Sequence, residues 1–384
     1  MIVAKFLSWI ETAPVTRRAE ATSALARAYL YSEMERAEQE AAETALTLLL
    51  DDSSPLVRGA LSDALASSPH APHHVVLSLA QDLDSVAEPV LQRSPILLDG
   101  DLVDIAAHGS DRAQCAIAVR PSVSASLAAA LAEVGGKAAC LAILANVGAQ
   151  VTTFSLRRMA ERFGTEADMR TTLLSLDGLP VDIRQSLIVQ LGDALEQLAL
   201  VKTFISSEKR TTLVKDACDK ATVDLAFSAS GEDLYALVEH LRLSGQLTAD
   251  ILVRGLCMGN VDLFVVALKS LTNLSEKRIR DCVYDASPSV VSAICQKAGI
   301  GDAVAPAIVA ALQAYHDLLE ELDPAVSRSR FARQMVDRIL TSYSHMVHDD
   351  EMDELHALLR RFAMQIARDE ARDMRLALQN SQAA

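Results

Sequence analysis

The chain has 384 residues, enough for two or three domains or for one extended array. Half of its residues are hydrophobic but only 4% are aromatic, and Gly (15) and Pro (11) are scarce, a mixture that favours helices with small, unbranched faces. The formal net charge of -15 argues against a nucleic-acid groove, which needs clustered positive charge.

Residues 1–45 are charged and irregular and read as an N-terminal helical cap. Their apolar stretch is too short and interrupted for a secretory signal. From 46 to 165 the sequence repeats. Pro69, Pro95 and Pro121 are 26 residues apart, and Leu65, Leu91, Ile117 and Ile143 keep the same interval. Later in each unit come Leu79-Ala80, Ile105-Ala106 and Leu131-Ala132, then Met159-Ala160 after a two-residue slip. Columns that agree over four units mark a repeat array.

Within a unit, Val76, Leu77, Leu79 and Ala80 have the i, i+1, i+3, i+4 spacing of one helix face. Leu102, Val103, Ile105 and Ala106 repeat it, as do Ala128, Ala129, Leu131 and Ala132. Each unit is therefore a short helical hairpin that must stack on its neighbours to bury a core. Because proline inside a helix costs about 3 kcal/mol, the spaced prolines are expected at helix starts.

Residues 166–245 read as continued, irregular helical repeats, with helices opening near Leu179-Pro180, Ser207-Glu208 and Gly231-Glu232. A compact block at 246–300 holds about four short helices, punctuated by Gly259-Asn260, Thr272-Asn273 and Ser287-Pro288. Longer helices fill 301–384, and Met352, Leu355, Leu359, Phe362 and Ile366 form one stripe of the last. From Arg328 onward nine Arg balance nine Asp and Glu, so the acidic excess belongs to residues 1–327. The expected fold is all-α: a solenoid of HEAT-like hairpins of about 26 residues, then a smaller helical block and C-terminal helices.

Two runs resemble a known family. They are APHHVVLSLAQDLDSVAEPVLQRSPILLDGDLVDIA (Ala71 to Ala106) and LTADILVRGLCMGNVDLFVVALKSLTNLSEKRIRDCV (Leu247 to Val283). Both are similar to a large alphaproteobacterial family of uncharacterised proteins, a domain of unknown function with helices like HEAT repeats and the leucine-rich-repeat variant. The resemblance implies a helical solenoid of bacterial, cytoplasmic origin and supplies no catalytic or binding residues.

Candidate chemistry is sparse. His345, His348, Asp349 and His356 form the best cluster for chemistry, and His348-Asp349 resembles the metal doublet of all-α HD phosphohydrolases, but a helix junction capped by Asp349 and Asp350 explains them more simply. His70, His73 and His74 lack further ligands nearby and fit an exposed turn. Gly135-Gly136-Lys137 imitates part of a phosphate loop but aligns with inter-repeat turns. The six cysteines have no C-x-x-C pair, so neither zinc nor a disulfide framework is expected, and a reducing compartment fits.

Two Arg groups could grip an anion bidentately: Arg157, Arg158 and Arg162 on one repeat helix, and Arg328, Arg330 and Arg333 in SRSRFAR. The functional expectation is a cytoplasmic, non-catalytic scaffold or adaptor for a protein partner, with no cofactor, metal, nucleic acid or membrane. A sensor of a small anion such as a signalling nucleotide is the alternative, and a metal-dependent phosphohydrolase comes third. The oligomeric state is not set by the sequence.

Overall fold

The computed structural model describes residues 6, 8–10, 12–285, 287–301, 304–321, 328–346 and 353–383. Those residues are helices and connectors, with no β-strand among them. The chain forms two compact units, Met1–Leu179 and Pro180–Ala384.

The first unit opens with α1 (Val15–Tyr31) and α2 (Arg36–Leu48) and continues as helical pairs. These are α3 (Pro55–Leu65) with α4 (His73–Ala80), α5 (Asp84–Arg93) with α6 (Asp99–His108), and α7 (Asp111–Ala118) with α8 (Ala125–Val134). Next come α9 (Lys137–Ala145) with α10 (Thr153–Phe163), and α11 (Ala167–Leu174). The odd helices α3 to α11 pack each against the next, while α6, α8 and α10 make a second row. This is the expected all-α repeat arrangement.

Its core follows the sequence columns. Leu65, Leu91, Ile117 and Ile143 are fully buried in successive odd helices, and the pairs from Leu79-Ala80 to Met159-Ala160 are buried in the even ones. Leu77, Val103 and Ala129 are only half buried, so α4, α6 and α8 bury their i, i+3 and i+4 residues and turn the i+1 residue toward the edge.

The prolines require a correction. Pro69, Pro95 and Pro121 lie in the connectors inside each pair, several residues before α4, α6 and α8, not at helix starts. Proline fixes the backbone there and holds the preceding residue extended, which suits a connector as well as a first turn. The second helices begin elsewhere: the hydroxyls of Ser124 and Thr152 accept from Leu127 N and Ser155 N, and Asp101 accepts the Leu98 N–H at 3.0 Å. Pro89 sits inside α5, where it removes one helical hydrogen bond.

Polar side chains tie successive pairs together. Arg120 donates to the carbonyls of Leu91 and Ser94 at 2.5 and 2.6 Å. Asn146 donates to those of Ala118 and Arg120, both at 2.8 Å. Arg58 grips Asp82 through Nε and Nη2 at 2.5 and 2.8 Å, holding that carboxyl below its ordinary value. Arg112 meets Glu88 at 2.7 Å.

In the second unit α12 (Val181–Gln197) packs on α14 (Ser207–Ser228), with short α13 (Ala199–Phe204) between them in sequence. Gly192 permits that approach, since a Cβ there would fall 2.6 Å from Cys218 Sγ. Then follow α15 (Glu232–Leu243), α16 (Ala249–Cys257), α17 (Val261–Thr272), α18 (Glu276–Asp285) and α19 (Pro288–Lys297). The last three are α20 (Ala305–Glu321), α21 (Arg328–Met346) and α22 (Asp353–Ala383). Helix α20 touches α16, α18, α19 and α21, and its alanines and Ile308, Leu312 and Leu318 are buried. Small residues on several faces let neighbours approach closely, which makes α20 the centre of this unit.

Candidate functional groove

The second unit carries an open groove of about 1150 Å³. Its walls come from the end of α14, the start of α15, α17, α18 and the C-terminal half of α20. Two glycines shape the approach. Gly231, at φ 55°, turns the chain into α15. Gly259, at φ 82°, sits where a Cβ would be 2.8 Å from a Phe331 ring carbon.

The floor is aliphatic, with Leu234, Val265 and Val283 buried. The mouth is aromatic. Three of the six tyrosines, Tyr235, Tyr284 and Tyr315, line it, and Tyr284 is 78% exposed. The His316 ring meets Tyr284 and Tyr315 edge-on at 5.3 and 5.7 Å, and its Nε2 donates to the Val283 carbonyl at 3.2 Å.

The charges in the walls are mostly closed on one another. Lys269 meets Glu276 at 3.2 Å, and Arg280 bridges Glu276 at 3.1 Å and Asp262 at 2.9 Å. Lys269 and Arg280 hold the Glu276 carboxyl below its ordinary value, while burial and nearby Asp262 push the Tyr315 hydroxyl up. Neither is poised for proton transfer near neutral pH.

The sequence-predicted Arg residues lie outside this groove and within two different units. Arg158 forms a fork with Glu133 at 2.7 and 2.9 Å and reaches Glu161 at 3.2 Å. Arg162 donates to the Ala132 carbonyl at 2.6 Å and covers the Phe163 ring at 4.6 Å. Arg328 meets Asp224 at 2.9 Å and lies over Phe227 at 3.5 Å, and Arg333 meets Glu370 at 2.8 Å. Arg157 and Arg330 are likewise engaged.

The histidines diverge. His73 approaches Asp101 at 3.3 Å, whereas His74 bonds Thr47 at 2.9 Å. His345 sits in α21 and His356 in α22, and His348 and Asp349 lie outside the described residues. Among the described residues no three metal-ligating side chains converge. Lys137 of the glycine-rich turn pairs with Glu166 and Asp168 at 3.3 and 3.0 Å.

A charge cluster centred on buried Arg254 lies against α22. Arg254 is buried over the Phe362 ring at 3.9 Å and donates to Gln365 at 2.8 Å and to Asp216 at 3.4 Å. Arg361 reaches Asp216 at 3.3 Å, and Lys220 reaches Asp369 at 2.5 Å. Burial pushes the nearby Asp219 carboxyl up to about 6.

A family model described as an uncharacterised protein conserved in bacteria (DUF2336) matches residues 86–349. The chain belongs to that family. The DUF2336 span runs from within α5 past α21, so it takes in most of the repeat pairs and every wall of the groove. No curated protein and no solved structure matches the chain. Sequence reasoning missed the groove because its tyrosines are scattered across three helices. The one available signal was the scarcity of aromatics, which makes any that meet informative.

Proposed function

We propose that this DUF2336 protein is a non-catalytic scaffold or adaptor: a cytoplasmic, HEAT-like solenoid of the alphaproteobacterial kind that presents helical surfaces to a protein partner. The observation that carries the reading is the groove of the second unit. It is open, aliphatic at its floor and tyrosine-rich at its mouth, a composition suited to polypeptide hot spots. Four of its ionisable groups, Lys269, Glu276, Arg280 and Asp262, pair with one another. In the described residues no helix is long and apolar enough to cross a membrane.

The anion-sensor reading is weaker for a physical reason. Guanidinium groups already held by Glu133, Asp224 and Glu370 must break those pairs before they grip a phosphate.

A photo-crosslinking residue placed at Tyr284 in the native host tests the proposal, with mass spectrometry of the adducts. A discrete protein captured there and absent when the crosslinker replaces exposed Tyr31 supports a scaffold. A saturable thermal shift with a cyclic dinucleotide or guanosine tetraphosphate, lost in Arg158→Ala or Arg328→Ala and without a protein adduct, overturns it. At 100 times its dissociation constant a true ligand adds about 2.7 kcal/mol.

A further inference from the structure

The geometry points to the class of partner that the groove takes: an amphipathic α-helix with aliphatic anchors at i, i+3 or i+4, and i+7, and a Lys or Arg beside them. This inference rests on the scaffold reading and names the chemistry of what the scaffold binds.

Size comes first. At about 1150 Å³ the space exceeds the roughly 300–1,000 Å³ of small-molecule sites, and it is a trough, not an enclosed chamber. Backbone chemistry comes second. The walls are helices and the short connectors that open two of them, and the described residues hold no β-strand, so no sheet edge is offered. An extended peptide would find no ladder to join, whereas a helix satisfies its own backbone and needs only side-chain pockets.

The side chains fit that occupant. Leu234, Val265 and Val283 floor the trough, and Tyr284 and Leu319 stand exposed at its mouth. Aliphatic anchors reach the floor while tyrosine rings cover their flanks, a common division of labour in hot spots. The Tyr284 and Tyr315 rings each meet the His316 ring edge-on, at interplanar angles of 69° and 75°, which fixes both at the groove.

Charge selects the flanking residue. The walls carry Glu232, Asp262 and Glu276 against Lys269 and Arg280. Both cations are taken up by Asp262 and Glu276, leaving exposed Glu232 without an ion pair among the described residues. A cation on the incoming helix meets that carboxylate, in keeping with a chain of net charge -15.

The test uses the full chain and fluorescence anisotropy with designed peptides of about 18 residues, long enough to be helical. One carries leucines at i, i+3, i+4 and i+7 with flanking lysines. A second replaces the lysines by glutamate, a third has the same composition without the stripe, and a fourth is proline-rich. The first should bind tightest, with the stripe-free and proline-rich peptides roughly tenfold weaker or more. Tyr284→Ala and Leu319→Ala should each weaken it by roughly tenfold, and Glu232→Lys should favour the glutamate peptide. Both side chains are largely exposed, so circular dichroism and the thermal midpoint should stay unchanged in these variants.

Equal binding of the stripe-free peptide, tighter binding of the proline-rich one, or indifference to Tyr284→Ala overturns the helix inference. If the Tyr284 crosslinker captures a partner through a non-helical segment, the helix inference falls and the scaffold stands. With no adduct and no peptide bound, both fall.

Discussion

The Asn146 amide donates to the carbonyl of Arg120, 26 residues earlier, at 2.8 Å. Arg120 does the same to Ser94, 26 residues before it, at 2.6 Å. One column of the repeat thus uses two unlike side chains for one task, satisfying a connector carbonyl of the preceding pair. Asn146→Ala should leave the carbonyls of Ala118 and Arg120 without that donor and cost about 1–3 kcal/mol. Urea unfolding of the variant and of Asn146→Asp, which also lacks the donor, checks this. Stability unchanged in both would contradict the bracing role.

The buried columns set a larger cost. Leu91→Ala or Ile117→Ala should destabilise the first unit by about 2–5 kcal/mol, since both side chains are fully buried. Leu98→Ala, at a side chain 66% exposed, should stay within about 0.5 kcal/mol. Comparing the three denaturation midpoints tests the repeat register directly.

Glycine substitutions should split by surroundings. Gly259→Ala places a side chain at φ 82° and against Phe331, so it should destabilise by about 1 kcal/mol or more and disturb the groove. Gly59, inside α3 with open space around it, should give the opposite sign: Gly59→Ala stabilises by about 0.5–1 kcal/mol. Thermal melts of the two variants side by side decide it.

The buried carboxyl predicts a pH signature. Burial raises the folded pKa of Asp219 from 3.8 to about 6, so between those values the native state binds more protons than the unfolded one. Its contribution to stability therefore falls as pH rises through that window and stays unfavourable above it. Asp219→Asn should raise the melting midpoint at pH 7.5, and the gain should shrink toward pH 4. A gain independent of pH would show that the carboxyl is not the cause.

The array was legible in the sequence because its signal is local. Leu91 and Ile117 announce themselves by interval alone, and one helix face is written in consecutive residues. The connectors were less so: a proline column marks a restricted backbone, yet restriction suits a linker and a first turn equally, and Pro95 proved to be in the former. The groove lay further out of reach. Tyr235, Tyr284 and Tyr315 belong to α15, α18 and α20, and only tertiary packing brings them to one mouth. The guanidiniums were misleading in another way. Arg158 and Arg328 cluster in sequence with other Arg residues, but Glu133 and Asp224, which hold them, are distant along the chain.

The backward reach of Arg120 and Asn146 gives the first unit a direction. The α7–α8 pair and α9 each lend a connector donor to the pair before, so a pair released from the C-terminal side takes its donor away and leaves carbonyls that water can serve. A pair lost from the N-terminal side instead strands partly buried amide and guanidinium donors without acceptors, the costlier defect. Within the first unit the Asn146 brace should therefore let go before the Arg120 brace, and amide hydrogen exchange should be faster in α9 than in α7.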